Sequence, residues 1–158
     1  VRMYSCRIIY NLQFYTMEKR QKVLFVCTGN SCRSQIAEGL LRHLANDRFD
    51  VYSAGSHPSR VHPNAIAVMK ELNIDISGHT SDSIHQYLDK GIDIVITVCD
   101  NADQVCPNFP GNVERLHWSI DDPFRGWDSD PSHLNNFRDT IKDVKDNIIT
   151  FLNQREDQ

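Results

Sequence analysis

No two of the five cysteines in this 158-residue sequence form a Cys-x2-Cys pair, which removes the commonest signature of a structural zinc site. Their odd number argues against a fully paired secreted scaffold and for a reducing cytoplasm, where reactive thiols persist. No apolar run approaches the roughly 20 residues of a membrane span, so no membrane partner is expected. The formal charge of -4 leaves no basic stripe, and nucleic-acid binding is not expected either. Internal repeats and low-complexity tracts are lacking. The seven histidines are scattered, and none pairs with another as a transition-metal ligand would. With 40% hydrophobic residues, what remains is one ordinary domain with its own core.

Along the chain, short apolar runs alternate with helical spacing. Val23–Val26 suits a strand buried on both faces. Ile36, Leu40 and Leu44 share a helical face in the segment that follows. Phe49 to Gly55 reads as a second strand ending in a turn. Ala65, Val68, Met69 and Leu72 mark a helix with Pro63 near its start, and Met69 reads as core filler. Ile74 and Ile76 punctuate a polar connection, and Ser83 to Leu88 reads as a short helix. Ile92–Val98 is a third strand and Val113–Trp118 a shorter fourth, while Leu134, Phe137, Ile141, Val144, Ile148 and Phe151 predict a long C-terminal helix. The alternation implies a single α/β three-layer sandwich with a four-stranded parallel sheet flanked by helices. Residues 22–155 are expected to form it. Residues 1–21 lack a clear period and read as a disordered or non-native extension, with Met17 placed just before the first strand; Cys6, within it, is given no role.

The chemistry concentrates at Cys27-Thr28-Gly29-Asn30-Ser31-Cys32-Arg33-Ser34. This small polar loop lies between a buried strand and a helix start. Inward-facing amides and the helix dipole make such a loop an anion cradle. The same groups, with Arg33, favour a thiolate at Cys27, and the thiolate is the nucleophile. Arg33 can grip two oxygens of a tetrahedral oxyanion with its planar fork, and Ser34 can donate to the Cys27 sulfur. Cys27, Cys99 and Asp122 all follow predicted strands, which places them on the carboxyl edge where ligands bind in such sheets. Cys99 and Cys106 sit seven apart on a polar segment; a loop or two helical turns would let them meet, and two semi-buried thiols without a role fit the spacing equally well. On the residues alone, Asp121-Asp122-Pro123 reads first as the start of a turn.

The loop Cys27–Ser34 resembles the nucleophile loop of the low-molecular-weight protein tyrosine phosphatase superfamily. That superfamily contains phosphatases and arsenate reductases recycled by thioredoxin. Three features resemble the reductase branch: Cys99, Ala102-Asp103, Cys106 and Pro107; Gln35, where phosphatases usually carry proline; and His79-Thr80-Ser81-Asp82. Phe124 stands where phosphatases commonly have tyrosine. Trp118 and Trp127 read as packing residues, His79 and His117 as structural ones.

The resemblance implies arsenate bound by Thr28 to Ser34, attack by Cys27, and protonation of the departing oxygen by Asp122. A Cys27–Cys99 disulfide would follow, then Cys99–Cys106, reduced by thioredoxin. No cofactor is required; a potassium ion held by Asn30, Glu38, Ser53 and Asp82 is implied from some reductases of the branch. Phosphate and sulfate would compete as oxyanions, and the protein would act as a monomer. The alternatives are a tyrosine phosphatase working through phosphocysteine, and a non-catalytic sensor that switches through Cys99–Cys106.

Overall fold

The structure is a computed structural model in which residues 19–156 are described. Residues 1–18 of the expected 1–21 extension, with Met17 and Cys6, lie outside these residues, whereas its last residue, Gln21, belongs to the first strand. Four parallel strands form one sheet in the order β2-β1-β3-β4: β1 is Gln21–Cys27, β2 Phe49–Gly55, β3 Ile94–Thr97 and β4 Glu114–His117. Val23 to Val26 have no exposed surface, because β1 is paired on both edges and covered on both faces. The first strand begins at Gln21, paired with Phe49, one residue before the expected domain start. The third strand is shorter than the Ile92–Val98 run, although Ile92 and Val98 at its two ends are both buried. β2 and β4 are the edge strands, and β4 presents Glu114, Arg115 and His117, the charged kind of edge that resists pairing with another chain.

Helices connect the strands and complete the three-layer α/β sandwich. They are α1 (Arg33–Ala45), α2 (Pro63–Glu71), α3 (Asp100–Val105) and α4 (Leu134–Glu156), with single 3-10 turns at Ile84–Tyr87 and Pro131–His133. α4 buries Phe137, Ile141, Val144, Ile148 and Phe151, the stripe its spacing predicts. Two expected core positions fail. Leu44 is 44% exposed because the inward face at the end of α1 runs through Leu41 and Ala45, and Leu72 is 43% exposed at the C-cap that follows α2. Leu41 takes the inward place on α1. The polar connection does bury Ile74 and Ile76, and Gly39 is where they cross α1: a Cβ there would lie 2.8 Å from both Ile76 and Met69. None of the described helices is long and apolar enough to cross a membrane.

The parallel topology brings the ends of β1 and β3, the start of α1, α3 and the segment after β4 to one edge of the sheet. That edge carries Cys27, Arg33, Cys99 and Asp122.

Candidate active site

The loop Cys27–Cys32 turns β1 into α1, and its backbone is held from outside. Ser56 N–H donates to the Cys27 carbonyl, His57 N–H to Thr28, Ser59 N–H to Gly29, Gln35 Nε2 to Asn30 and His62 N–H to Ser31. In a trans peptide the C=O and the next N–H point in opposite directions. With five successive carbonyls turned outward, the amides from Thr28 to Cys32 face the interior of the loop. Asn30 takes a left-handed turn, φ 46°, which asparagine tolerates. No side chain caps the N-terminus of α1, so its free N–H groups face the same space. The loop thus has the inward-facing amides that an anion cradle requires.

Cys27, the candidate nucleophile, sits at its base. Ser34 Oγ lies 2.9 Å from Cys27 Sγ. Asn30 Nδ2 donates to Ser34 Oγ at 2.7 Å and to Ser53 Oγ at 2.9 Å, which leaves the Ser34 proton free for the sulfur. Ser53 in turn donates to Glu38 Oε2 at 2.9 Å. Arg33 and Asp122 come together at the mouth: Arg33 Nη2 is 3.6 Å from Asp122 Oδ2, and Arg33 Nη1 donates to the Ile120 carbonyl at 3.0 Å. Asp122 does start a turn, accepting from Phe124 N–H at 3.1 Å, and its carboxylate also borders the cleft over Cys27. The turn and the acid position are the same feature.

Cys99 closes on the cradle from β3. Val98 N–H donates to the Val26 carbonyl, so the next residues of the two strands run side by side. Cys99 Sγ lies 3.4 Å from Thr28 Oγ1 and accepts from Ala102 N–H at 3.3 Å, as the N-cap of α3. Asn101 Nδ2 donates to Thr28 Oγ1, which leaves the threonine proton for the Cys99 sulfur. Cys106 is the C-cap of α3 and is half-buried. Of the two options the spacing allowed, the segment takes a single six-residue helix. Cys27, Cys32, Cys99 and Cys106 are all free thiols. Burial pushes the Cys106 thiol up, with the Arg115 charge opposing. Cys32 is pushed much further up, first by burial and then by the charges of Cys27 and Asp122, and so stays a thiol.

The four residues matched to a potassium site also meet. Asn30 and Ser53 are joined as above, and Asn30 Oδ1 accepts from Asp82 N–H at 2.9 Å. Glu38 additionally pairs with Arg42 at 2.8 Å and with His79 Nδ1 at 3.2 Å. Tyr87 donates to Asp82 Oδ2 and is pushed up to about 12, by burial first and then by the negative charges of Asp82 and Glu38. Gln35, with no exposed surface, donates to both the Asn30 and Thr80 carbonyls and accepts from His79, a set of bonds that a proline there could not make. His117 ties Thr97 to Asp100, and Trp118 packs on Phe25, so both have the structural roles expected of them.

Trp127 has the packing role expected of it, stacked on His62 and edge-on to Phe124, and with Phe124 it also walls the cleft over Cys27. His62, which has 1% exposure, adjoins the site without having stood out in the sequence. The signal for it was its place immediately before Pro63, the N-cap position of a helix with a first-turn proline.

Residues 22–158 match the model of the family described as low molecular weight phosphotyrosine protein phosphatase. An arsenate reductase of Halalkalibacterium halodurans is 46% identical over 132 residues, covering 84% of this chain and 95% of that one. A solved arsenate reductase in its oxidized state aligns with a TM-score of 0.72 at 36% identity, over 85% of this chain and 98% of its own. A thioredoxin-dependent arsenate reductase of Corynebacterium glutamicum aligns with a TM-score of 0.67 at 29% identity, over 87% of this chain and 62% of its own.

Proposed function

This chain belongs to the low molecular weight phosphotyrosine protein phosphatase family, and we propose that within that family it reduces arsenate to arsenite, with thioredoxin as the reductant. The observation that carries the reading is the Cys99 sulfur, 3.4 Å from the hydroxyl of the residue that follows Cys27. A phosphatase needs one thiol; a second poised beside it, and a third one helix away, supply an electron path.

Arsenate enters the cradle, its oxygens met by the amides of Thr28 to Ser34 and by the Arg33 fork. The Cys27 thiolate attacks arsenic, a sulfur–arsenic bond forms, and Asp122 protonates the departing oxygen. Arsenic is still pentavalent at this point. The Cys99 thiolate then attacks Cys27 Sγ. The sulfur–arsenic bond breaks with its electron pair left on arsenic, arsenite departs, and a Cys27–Cys99 disulfide remains. Cys106 attacks Cys99, which returns Cys27 as a thiolate and leaves Cys99–Cys106 for a thioredoxin dithiol to reduce. Cys32, held as a thiol, does not compete. In this reading arsenical detoxification takes place in a reducing cytoplasm, and because all three sulfurs come from one chain, a monomer suffices.

Four oxygen-bearing side chains and a negative local potential at Asn30, Glu38, Ser53 and Asp82 suit a hard monovalent cation. Bound potassium would neutralise Glu38 and Asp82 and hold Asn30 in place above Ser34. Phosphate and sulfate share arsenate's shape and would compete for the cradle.

NADPH consumption with thioredoxin, thioredoxin reductase and arsenate tests the reading: turnover is expected in the intact protein and none in Cys27→Ser. Cys106→Ser is expected to release one equivalent of arsenite and stop, and steady turnover in that variant would overturn the relay. A second reading, weak phosphatase activity, is favoured by the apolar Phe124–Trp127 wall beside Asp122; hydrolysis of an aryl phosphate without thioredoxin measures it.

A further inference from the structure

We infer that His62 is a positioning residue that fixes the acid segment over the cradle. This rests on the reading of Asp122 as the proton donor. Three bonds carry it. The His62 backbone N–H donates to the carbonyl of Ser31, inside the anion loop, at 3.0 Å. Its Nδ1 accepts from Asn64 N–H at 3.0 Å, as the N-cap of α2. An Nδ1 that accepts a backbone N–H has no proton of its own, so in the neutral ring the proton is on Nε2. Nε2 therefore donates to the Gly126 carbonyl, 2.7 Å away. One buried residue thus joins three pieces: its backbone holds the oxyanion loop, and its ring holds the start of α2 and the segment after β4.

The segment it grips carries the acid. Arg33 holds the Ile120 carbonyl and His62 holds the Gly126 carbonyl, and Asp122 lies between the two tethers. Gly126 has φ 111°, in the left-handed region, so its carbonyl is aimed at His62 by a backbone shape that other residues resist. The ring also stacks on Trp127, with centroids 5.5 Å apart and planes 17° from parallel, and meets Phe124 edge-on at 5.7 Å. Both aromatics that wall the cleft therefore lean on the same imidazole. Removing the Nε2 bond frees the far tether and lets the carboxyl of Asp122 drift from the oxygen it protonates, a misplacement to which proton transfer is sensitive.

The two ring nitrogens can be tested separately. His62→Asn keeps an acceptor near Nδ1 and loses the donor; His62→Gln keeps a donor near Nε2 and loses the cap. The readouts are the single-turnover rate of arsenate consumption by the reduced protein, the sulfate dissociation constant and the melting temperature. His62→Asn is expected to slow the reaction roughly 10-fold or more, with sulfate affinity within about twofold because the cradle is untouched. In an Asp122→Asn background the same substitution is expected to lose most of its effect, since there is no proton donor left to misplace. His62→Gln is expected to melt roughly a few degrees lower through loss of the cap, yet to react at close to the original rate. Wild-type speed in His62→Asn beside a slow Asp122→Asn would overturn the positioning role alone, as would an undiminished effect in the double variant. Should His62→Asn not fold, a slow but folded His62→Gln would also overturn it. Wild-type speed in Asp122→Asn would instead remove the acid on which the inference stands.

Discussion

Ser34 receives a hydrogen bond from Asn30 and has its single proton left for Cys27 Sγ. A hydrogen bond to a charged group contributes about 1.5–3 kcal/mol, so Ser34→Ala is expected to slow the first chemical step roughly 10- to 100-fold. Oxyanion affinity should hold, because the amides and Arg33 remain; stopped-flow measurement of one turnover beside sulfate titration separates the two. The third thiol obeys a different constraint. Burial holds the Cys106 pKa above the ordinary thiol value, so its thiolate fraction grows as pH rises towards and past that value. Transfer of the disulfide from Cys27–Cys99 to Cys99–Cys106 is therefore expected to accelerate with rising pH beyond the range where an ordinary thiol would level off. A quench series that traps free thiols checks this, and a rate that levels off near neutral pH would contradict it.

α3 sets the distance the electrons must cross. A helix rises about 1.5 Å per residue, so Cys99 and Cys106, at its two caps, stand roughly 10 Å apart, beyond the ~7 Å between Cα atoms that a disulfide tolerates. The helix must therefore open for Cys99–Cys106 to form. Its restraints are exposed: His117 and Ser119 hold Asp100, Thr97 holds Asp103, and Arg115 donates to the Asp103 and Cys106 carbonyls. Amide hydrogen exchange over residues 100–106 is expected to be slow in the reduced protein and much faster once Cys99–Cys106 is oxidised; equal protection in both states would exclude the opening. The turn after β2 is set more rigidly. A Cβ on Gly55 would lie 2.5 Å from the Thr28 carbonyl oxygen and 2.9 Å from the Asn30 nitrogen, so Gly55→Ala must displace the cradle itself. Loss of sulfate binding and about 1–3 kcal/mol of stability are expected, read by titration and denaturant melts. These elements also mark what the sequence could disclose. Cys27 and Arg33 were legible because strand, loop and helix are contiguous, and the α4 stripe because burial follows its own period. Leu44 fits a helical period as well as the Leu41 and Ala45 pair that packs inward, and Leu72 lies past the end of its helix, so periodicity alone decided neither. His62 was missed because its bond to Gly126 joins segments more than sixty residues apart.

At the scale of the molecule, the cradle is assembled from almost every part of the chain. β1 and α1 supply the loop; the stretch from Ser56 to His62 holds its carbonyls; Thr80 and Asp82 are tied to it through Gln35 and Asn30; and the segment after β4 is pinned to Arg33. Unfolding disperses all of these, so an oxyanion that binds the native protein has no comparable site on the unfolded chain. Mass action then converts anion affinity into stability: at a free concentration one hundred times the dissociation constant the gain is about 2.7 kcal/mol. For a domain of this size, about 1 kcal/mol shifts the melting temperature by roughly 2–4 °C, so saturating sulfate or phosphate is expected to raise it by roughly 5–10 °C. The shift must require the Arg33 fork and not the nucleophile. Cys27→Ser should keep it, and Arg33→Ala should lose most of it, although both occupy the same loop. Sodium chloride at matched ionic strength supplies the control, since general screening would act on all three proteins alike. A rise that survives Arg33→Ala would place the anion elsewhere on the surface and detach the oxyanion chemistry from this edge of the sheet.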